Sequence, residues 1–483
     1  MYWSARHARI LAFDLSSWAQ HDTHILRQDV GDRYLRVTLR HRLAAGVRRV
    51  PPAIVSASAD TPPKVCRGLY CFWVDGLFIA LSTSFYSAFM PLFLLGFGAS
   101  NSQIGLMSGL SSFVGIVAYL AATRATVWLG GRKRMVVFAR IWSRVTLLAV
   151  VAVPFLVSGV TAIYITIALV AVQAAIESVG APAWTALVAD IVPLPIRARY
   201  IASRNIAKSG AKTVAVAVAG QLIRALGFPR GYQASFFAGA LVGFAAALAY
   251  AHIPVDEGMV GHSIRTSAGR SAFSKTSILY IAARTVWALG YQVAAPFFSI
   301  YVVKNLGGDE SNVGLLASVG AVTAVTGLIL FSRAVERYGL RRTWLFSGVM
   351  EALVPVLWAV APSTWFALLP AAADGLLLAG LELVNLNTVL MLTSDQNRTE
   401  FAAVNSAILT AAAMVGPLLG GALSDLIGFV PIFLLGSSLS LIGCTIYYVS
   451  VPDPGASGDE DSQENKLGRE VSSLSQAHSS HDQ

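Results

Sequence analysis

Charge is what this chain of 483 residues has least of: Asp, Glu, Lys and Arg make up 13% of it, about half the share of a soluble globular domain. With so little polar surface, its apolar runs cannot all be folded into one water-soluble core. Cysteine is scarce too. Cys66, Cys71 and Cys444 are too few for a disulfide framework and lack the spacing of a metal site. No P-loop, HExxH or strand-linked GxGxxG occurs, so nothing points to a nucleotide-driven pump, a zinc hydrolase or a dinucleotide enzyme, and no cofactor is expected. No histidine lies in the middle of an apolar run, His252 standing at the end of one. Acid–base catalysis therefore has no visible centre, and the chain does not read as an enzyme.

What the chain has is apolar length. It is 55% hydrophobic with a mean hydropathy of +0.62. Runs of about 20 residues, enough to cross a hydrocarbon core of roughly 30 Å, recur from Leu69 to Val451. Spans 1 to 6 read as 70–95, 103–123, 135–157, 162–188, 206–226 and 232–252. Spans 7 to 12 read as 279–303, 311–332, 343–361, 364–392, 402–424 and 430–451. The expected fold is an all-α polytopic membrane protein of twelve transmembrane helices in two pseudo-symmetric six-helix bundles, 69–253 and 277–452, joined by a cytoplasmic linker at 254–276. Residues 1–68, with eleven Lys or Arg and five Asp, read as a basic, disordered cytoplasmic extension, and 453–483 as a disordered acidic tail.

With the amino terminus inside, sixteen Lys and Arg fall on inner loops and three, Arg224, Arg230 and Lys304, on outer ones. This obeys the positive-inside bias and places both termini in the cytoplasm of a cell that carries the protein in its plasma or inner membrane. The net charge of +10 then reflects cytoplasmic loops, and no nucleic-acid partner is expected.

The two halves repeat. Gly98, Gly105, Gly130, Arg132 and Lys133 match Gly307, Gly314, Gly339, Arg341 and Arg342 at an offset of 209. Glu177 matches Glu382 at 205, and Asn205 and Gly220 match Asn405 and Gly420 at 200. After span 8 the chain reads Glu336-Arg337-Tyr338-Gly339-Leu340-Arg341-Arg342, and after span 2 it reads Val127-Trp128-Leu129-Gly130-Gly131-Arg132-Lys133. The first resembles the G-x-x-x-D-R-x-G-R-R loop of major facilitator superfamily transporters. The second keeps the glycines and basic residues but has Val127 in place of the acid. The resemblance covers about 69–452 and is to bacterial members. It implies two bundles that rock about a central site, with Gly130, Arg132, Lys133, Glu336, Arg337, Gly339, Arg341 and Arg342 as gating loops.

An ionisable side chain inside a span is costly, so it reads as functional or paired. Asp75, Arg140, Arg144, Glu177, Arg284, Glu351, Asp374 and Glu382 are the candidates. The resemblance implies that spans 1, 4, 7 and 10 line the cavity, and five of the eight lie there. Asp75 and Arg284 are equivalent at the 209 offset and are expected to face each other across the pseudo-twofold axis. Glu177 and Glu382 are expected to form a buried, mutually repelling pair, one of which would hold a proton. Helical spacing groups Ser82 and Tyr86 with Asp75, Gln173 and Trp184 with Glu177, Trp287 and Tyr291 with Arg284, and Asn385 with Asp374. Arg140, Arg144 and Glu351 read as structural. The expected function is secondary transport of a small organic solute, coupled to protons and directed outward, by a lipid-embedded monomer. The alternative is a non-transporting sensor or scaffold on the same fold.

Overall fold

The computed structural model describes residues 63–254, 275–393 and 398–451, and among these residues every regular element is helical. Most of the basic extension and of the polar linker, and all of the acidic tail, lie outside the described residues. Span 1 is Pro63–Ser84 followed after a turn by Met90–Gly96, and span 2 is Asn101–Trp128. Spans 3 to 6 are Arg132–Leu156, Gly159–Ile191, Leu194–Leu226 and Arg230–Ala251. Span 7 is Lys275–Ala294, a 3₁₀ turn at Ala295–Phe297 and Phe298–Lys304; span 8 is Glu310–Tyr338. Span 9 is Leu340–Ala352 with Val354–Ala359, and spans 10 to 12 are Leu368–Leu392, Arg398–Ile427 and Phe429–Ser450.

Ten of these twelve are long and apolar enough to cross a membrane by themselves. Span 5 falls short because Arg204, Lys208 and Lys212 lie within it. Span 9 falls short because it is broken ahead of Pro355, where a proline removes a helix donor. The expected start of span 5 at 206 is therefore too late: Arg204, assigned to a loop, is 5% exposed inside the bundle. Leu120, Trp128, Leu156, Leu426 and Val449 are each more than three-quarters exposed, which suits a surface solvated by lipid.

The repeat is visible in local structure. Spans 2 and 8 both open on a capping box, Ser100 with Gln103 and Asp309 with Asn312. Both continue into a tight reversal at Gly130 (φ 74°) and Gly339 (φ 81°), a left-handed conformation that glycine adopts without steric cost. Spans 1 and 7 are interrupted at the same place in each half, residues 85–89 and Ala295–Phe297. Backbone groups freed at the first break are met by a neighbour, Ser235 Oγ donating to the Phe85 carbonyl at 2.6 Å.

The halves meet along two helix pairs, span 2 with span 11 and span 5 with span 8. Two repeat-related glycines allow this approach: a Cβ at Gly105 would stand 2.2 Å from the Pro417 carbonyl, and one at Gly314 would stand 2.8 Å from that of Val216. At one end, Asp425 accepts the backbone N–H groups of Asn101 and Ser102 at 3.0 and 2.8 Å, and Lys304 donates to Asn101 at 2.9 Å. Opposite, Arg224 pairs with Asp309 at 3.0 Å and Tyr232 donates to Glu310 at 2.8 Å. That end is sealed by paired contacts in both repeats.

Candidate translocation cavity

Between the halves lies a cavity of about 600 Å³, the size of a small-molecule site. The broken spans supply Ser87 and Pro91 on one side and Pro296 and Phe298 on the other, so the unwound segments of both repeats face it. Gly320 and Leu316 of span 8 complete an apolar wall. The ionisable residues of the wall are Lys212 on span 5 and Asp374 and Glu382 on span 10.

Asp374 accepts the Tyr291 hydroxyl at 3.0 Å. Behind it, on span 9, which packs against span 10, Glu351 is fully buried. No N–H or O–H donor among the described residues reaches either Glu351 oxygen. Two ionised carboxylates repel and cannot hydrogen-bond; two that share one proton can. Tyr291 is held in place by Trp287, stacked at 5.6 Å and 7°, whose Nε1 donates to the Gly348 carbonyl at 3.1 Å. Glu382 is different: its side chain is 59% exposed and pairs with Arg284 at 3.3 Å.

The other half carries a second, smaller cavity of about 230 Å³, lined in part by Thr83, Arg140, Arg144, Glu177 and Trp184. Arg144, 2% exposed, gathers the expected polar stripe. It donates to Ser82 at 3.1 Å, Tyr86 at 3.2 Å and Glu177 at 3.2 Å, while Gln173 donates to Tyr86 at 3.1 Å. Asp75 stands apart, fully buried between Arg140 at 3.1 Å and Arg204 at 3.2 Å. The Arg204 guanidinium also lies over Phe72 at 4.3 Å.

Two expectations are corrected here. Asp75 does not face Arg284 across the axis: its charge is neutralised inside its own bundle, and Arg284 is taken by Glu382. Glu177 and Glu382 are not a desolvated pair in one cavity. They line different cavities, are 46% and 59% exposed, and each has its own arginine. Span 3, assigned a structural role, supplies the two arginines that organise its half.

The family profile of the Major Facilitator Superfamily matches residues 73–288 and again 276–480, once for each half. The chain belongs to the Major Facilitator Superfamily. The multidrug resistance protein MdtG of Dickeya zeae is 30% identical over 152 residues, which is 30% of this chain and 36% of that relative. The match thus spans about a third of the curated relative. Among solved structures, a point mutant of the nucleoside transporter NupG superposes with a TM-score of 0.64 at 14% identity, covering 80% of this chain and 100% of the other. A bacterial homologue of the iron transporter ferroportin in an inward-facing state also gives 0.64 at 14%, covering 80% and 99%.

In the loop after span 8, Arg341 donates to the Tyr448 carbonyl at 2.7 Å, in its own bundle. Arg337 lies over Tyr338 at 5.4 Å, and Glu336 is exposed without an ion pair among the described residues. Arg132 and Lys133 begin span 3, and Arg342 lines a lateral groove with Tyr338 and Phe346. Asn385 is 1% exposed and accepts from Trp344 at 2.7 Å and Tyr280 at 3.2 Å, so it braces the bundle away from the cavity wall. Among the described residues no three His, Cys, Asp or Glu gather to hold a metal ion. Glu351, read from sequence as structural, is buried in its own half behind the cavity wall.

Proposed function

We propose that the chain is a secondary active transporter that exports small amphipathic organic solutes in exchange for protons. The observation that carries this reading is Asp374 in the wall of an apolar cavity of about 600 Å³, with the fully buried Glu351 on the span packed behind it. A proton shared by two carboxyls is released when a solute or a change of surroundings favours the charged form. Alternating access suits the two-bundle plan: Asp425 and Arg224 join the halves at one end, and on this reading solute enters the cavity from the other. We assign the sealed end to the outside, following the bias of basic loops, which makes this the inward-open state with both termini cytoplasmic. The name of the Dickeya zeae relative supports drug-like solutes. A scaffold would have no reason to keep a buried acid and a second one within a span at their cost.

The test is transport by reconstituted protein of a panel of fluorescent amphipathic dyes under an imposed pH gradient. At least one dye moves uphill only when the gradient is present, and Glu351→Gln and Asp374→Asn abolish that dependence. Gradient-driven transport that survives both variants would overturn the reading. A cysteine at Ser100 labels from outside intact cells and one at Lys133 does not.

A further inference from the structure

Protonation can bias a conformational equilibrium only if the two conformations hold the proton differently. Tyr291, Glu351, Asp374, Glu382 and Arg284 all stand on spans 7, 9 and 10 of one half. When that half moves as a body, the distances among them stay fixed. They cannot, among themselves, register which way the cavity faces. Beside a change in hydration, a charge from the other half can.

Among the described residues the cavity wall has one. The first half contributes Ser87, Ala88, Pro91 and Lys212, of which Lys212 alone is charged. It is exposed, and it makes no hydrogen bond or ion pair among the described residues. It lines the same cavity as Asp374. Lys208, one turn earlier on span 5, is a like-charged neighbour of Lys212 that also lies near Asp75, Arg140 and Arg204. Arg284 is committed to Glu382.

Resting on the proton-coupled reading above, we propose that Lys212 is the coupling residue, the cross-half charge through which rocking of the bundles changes how tightly the Glu351–Asp374 pair holds its proton. Coulomb energy rises as two charges approach and as water leaves between them. The conformation that brings the ammonium closer to Asp374 favours the ionised carboxyl and releases the proton. The conformation that withdraws it lets the pair reload. Lys212 need not touch the solute for this; it positions the charge state of the acids.

The test needs no ligand. Spin labels at Arg124 and Arg333, on the ends of spans 2 and 8 away from the seal, report the separation of the halves in full-length protein in lipid nanodiscs. For the wild type, the open-to-closed ratio changes with pH by about tenfold, the usual scale of a coupling between sites. Lys212→Met flattens this dependence, Lys212→Arg keeps it, and infrared difference spectra still show the shared proton in Lys212→Met. A Lys212→Met protein that responds to pH as the wild type does overturns the proposal. A wild type whose ratio ignores pH overturns the proton-coupled reading itself, and the inference with it.

Discussion

Asp425 and Ser102 stand on opposite halves, and the carboxylate accepts both the backbone N–H and the hydroxyl of Ser102, at 2.8 and 2.6 Å. One bundle thus caps the first turn of a helix in the other, where the helix dipole favours a negative charge. A capping carboxylate is worth about 1 kcal/mol, or roughly a fivefold change in an equilibrium. Asp425→Ala should raise the rate at which a cysteine at Ser87 is labelled through the sealed end by about that factor. An unchanged rate would mean that the cap does not hold the end shut.

The related latch at Asp309 has a predictable pH response. Partial burial alone would raise this carboxyl, but hydrogen bonds from Ser311 and from the Asn312 and Ser311 backbone, together with Arg224, bring it below its usual 3.8. A depressed carboxyl contributes stability above its unfolded value and loses it as pH falls through the folded one. The Arg224–Asp309 latch should therefore hold unchanged from about pH 8 to 5 and weaken only below the ordinary carboxylate range. Asp309→Asn should open the end equally at all these pH values, read by the same labelling assay.

Asp75 is a structural anchor. Removing it leaves Arg140 and Arg204 buried without their carboxylate, and breaking a buried pair costs about 3–5 kcal/mol. Asp75→Ala should lower the unfolding temperature in detergent markedly. Where folded protein is recovered, its dye affinity should match the wild type. A stable Asp75→Ala protein that cannot bind solute would move Asp75 back to the cavity.

Gly105 allows spans 2 and 11 to touch. Any larger residue would place its Cβ 2.2 Å from the Pro417 backbone carbonyl, which is a clash that backbone can relieve only by moving apart. Gly105→Val should shift the bundles towards the state in which these helices separate at the sealed end, measured by cross-linking of cysteines at Ser102 and Ser424. Efficient cross-linking in the variant would contradict the packing.

The architecture was legible because lipid imposes it. Apolar length, loop charge and the glycine repeat lead to twelve spans, and Gly105 with Gly314 does bring the halves together. The site was less legible because helical spacing gives a residue's face but not its partner. Asp75, Ser82 and Tyr86 share a stripe, yet Asp75 turns to Arg140 and Arg204 while the other two bind Arg144. Symmetry misled at Asp75 and Arg284, since equivalent positions need not be neighbours. The breaks in spans 1 and 7, near Pro91 and Pro296, were hidden because the apolar length on either side is enough to read as one continuous span.

The proposed coupling requires a proton held between Glu351 and Asp374. Infrared difference spectra of the purified protein across neutral pH, in the carboxylic-acid C=O stretch, look for it directly. The wild type should show one protonated carboxyl that titrates, lost in Glu351→Gln and in Asp374→Asn and retained in Glu177→Gln. A spectrum with no protonated carboxyl at neutral pH, or one that disappears in Glu177→Gln instead, would contradict the account.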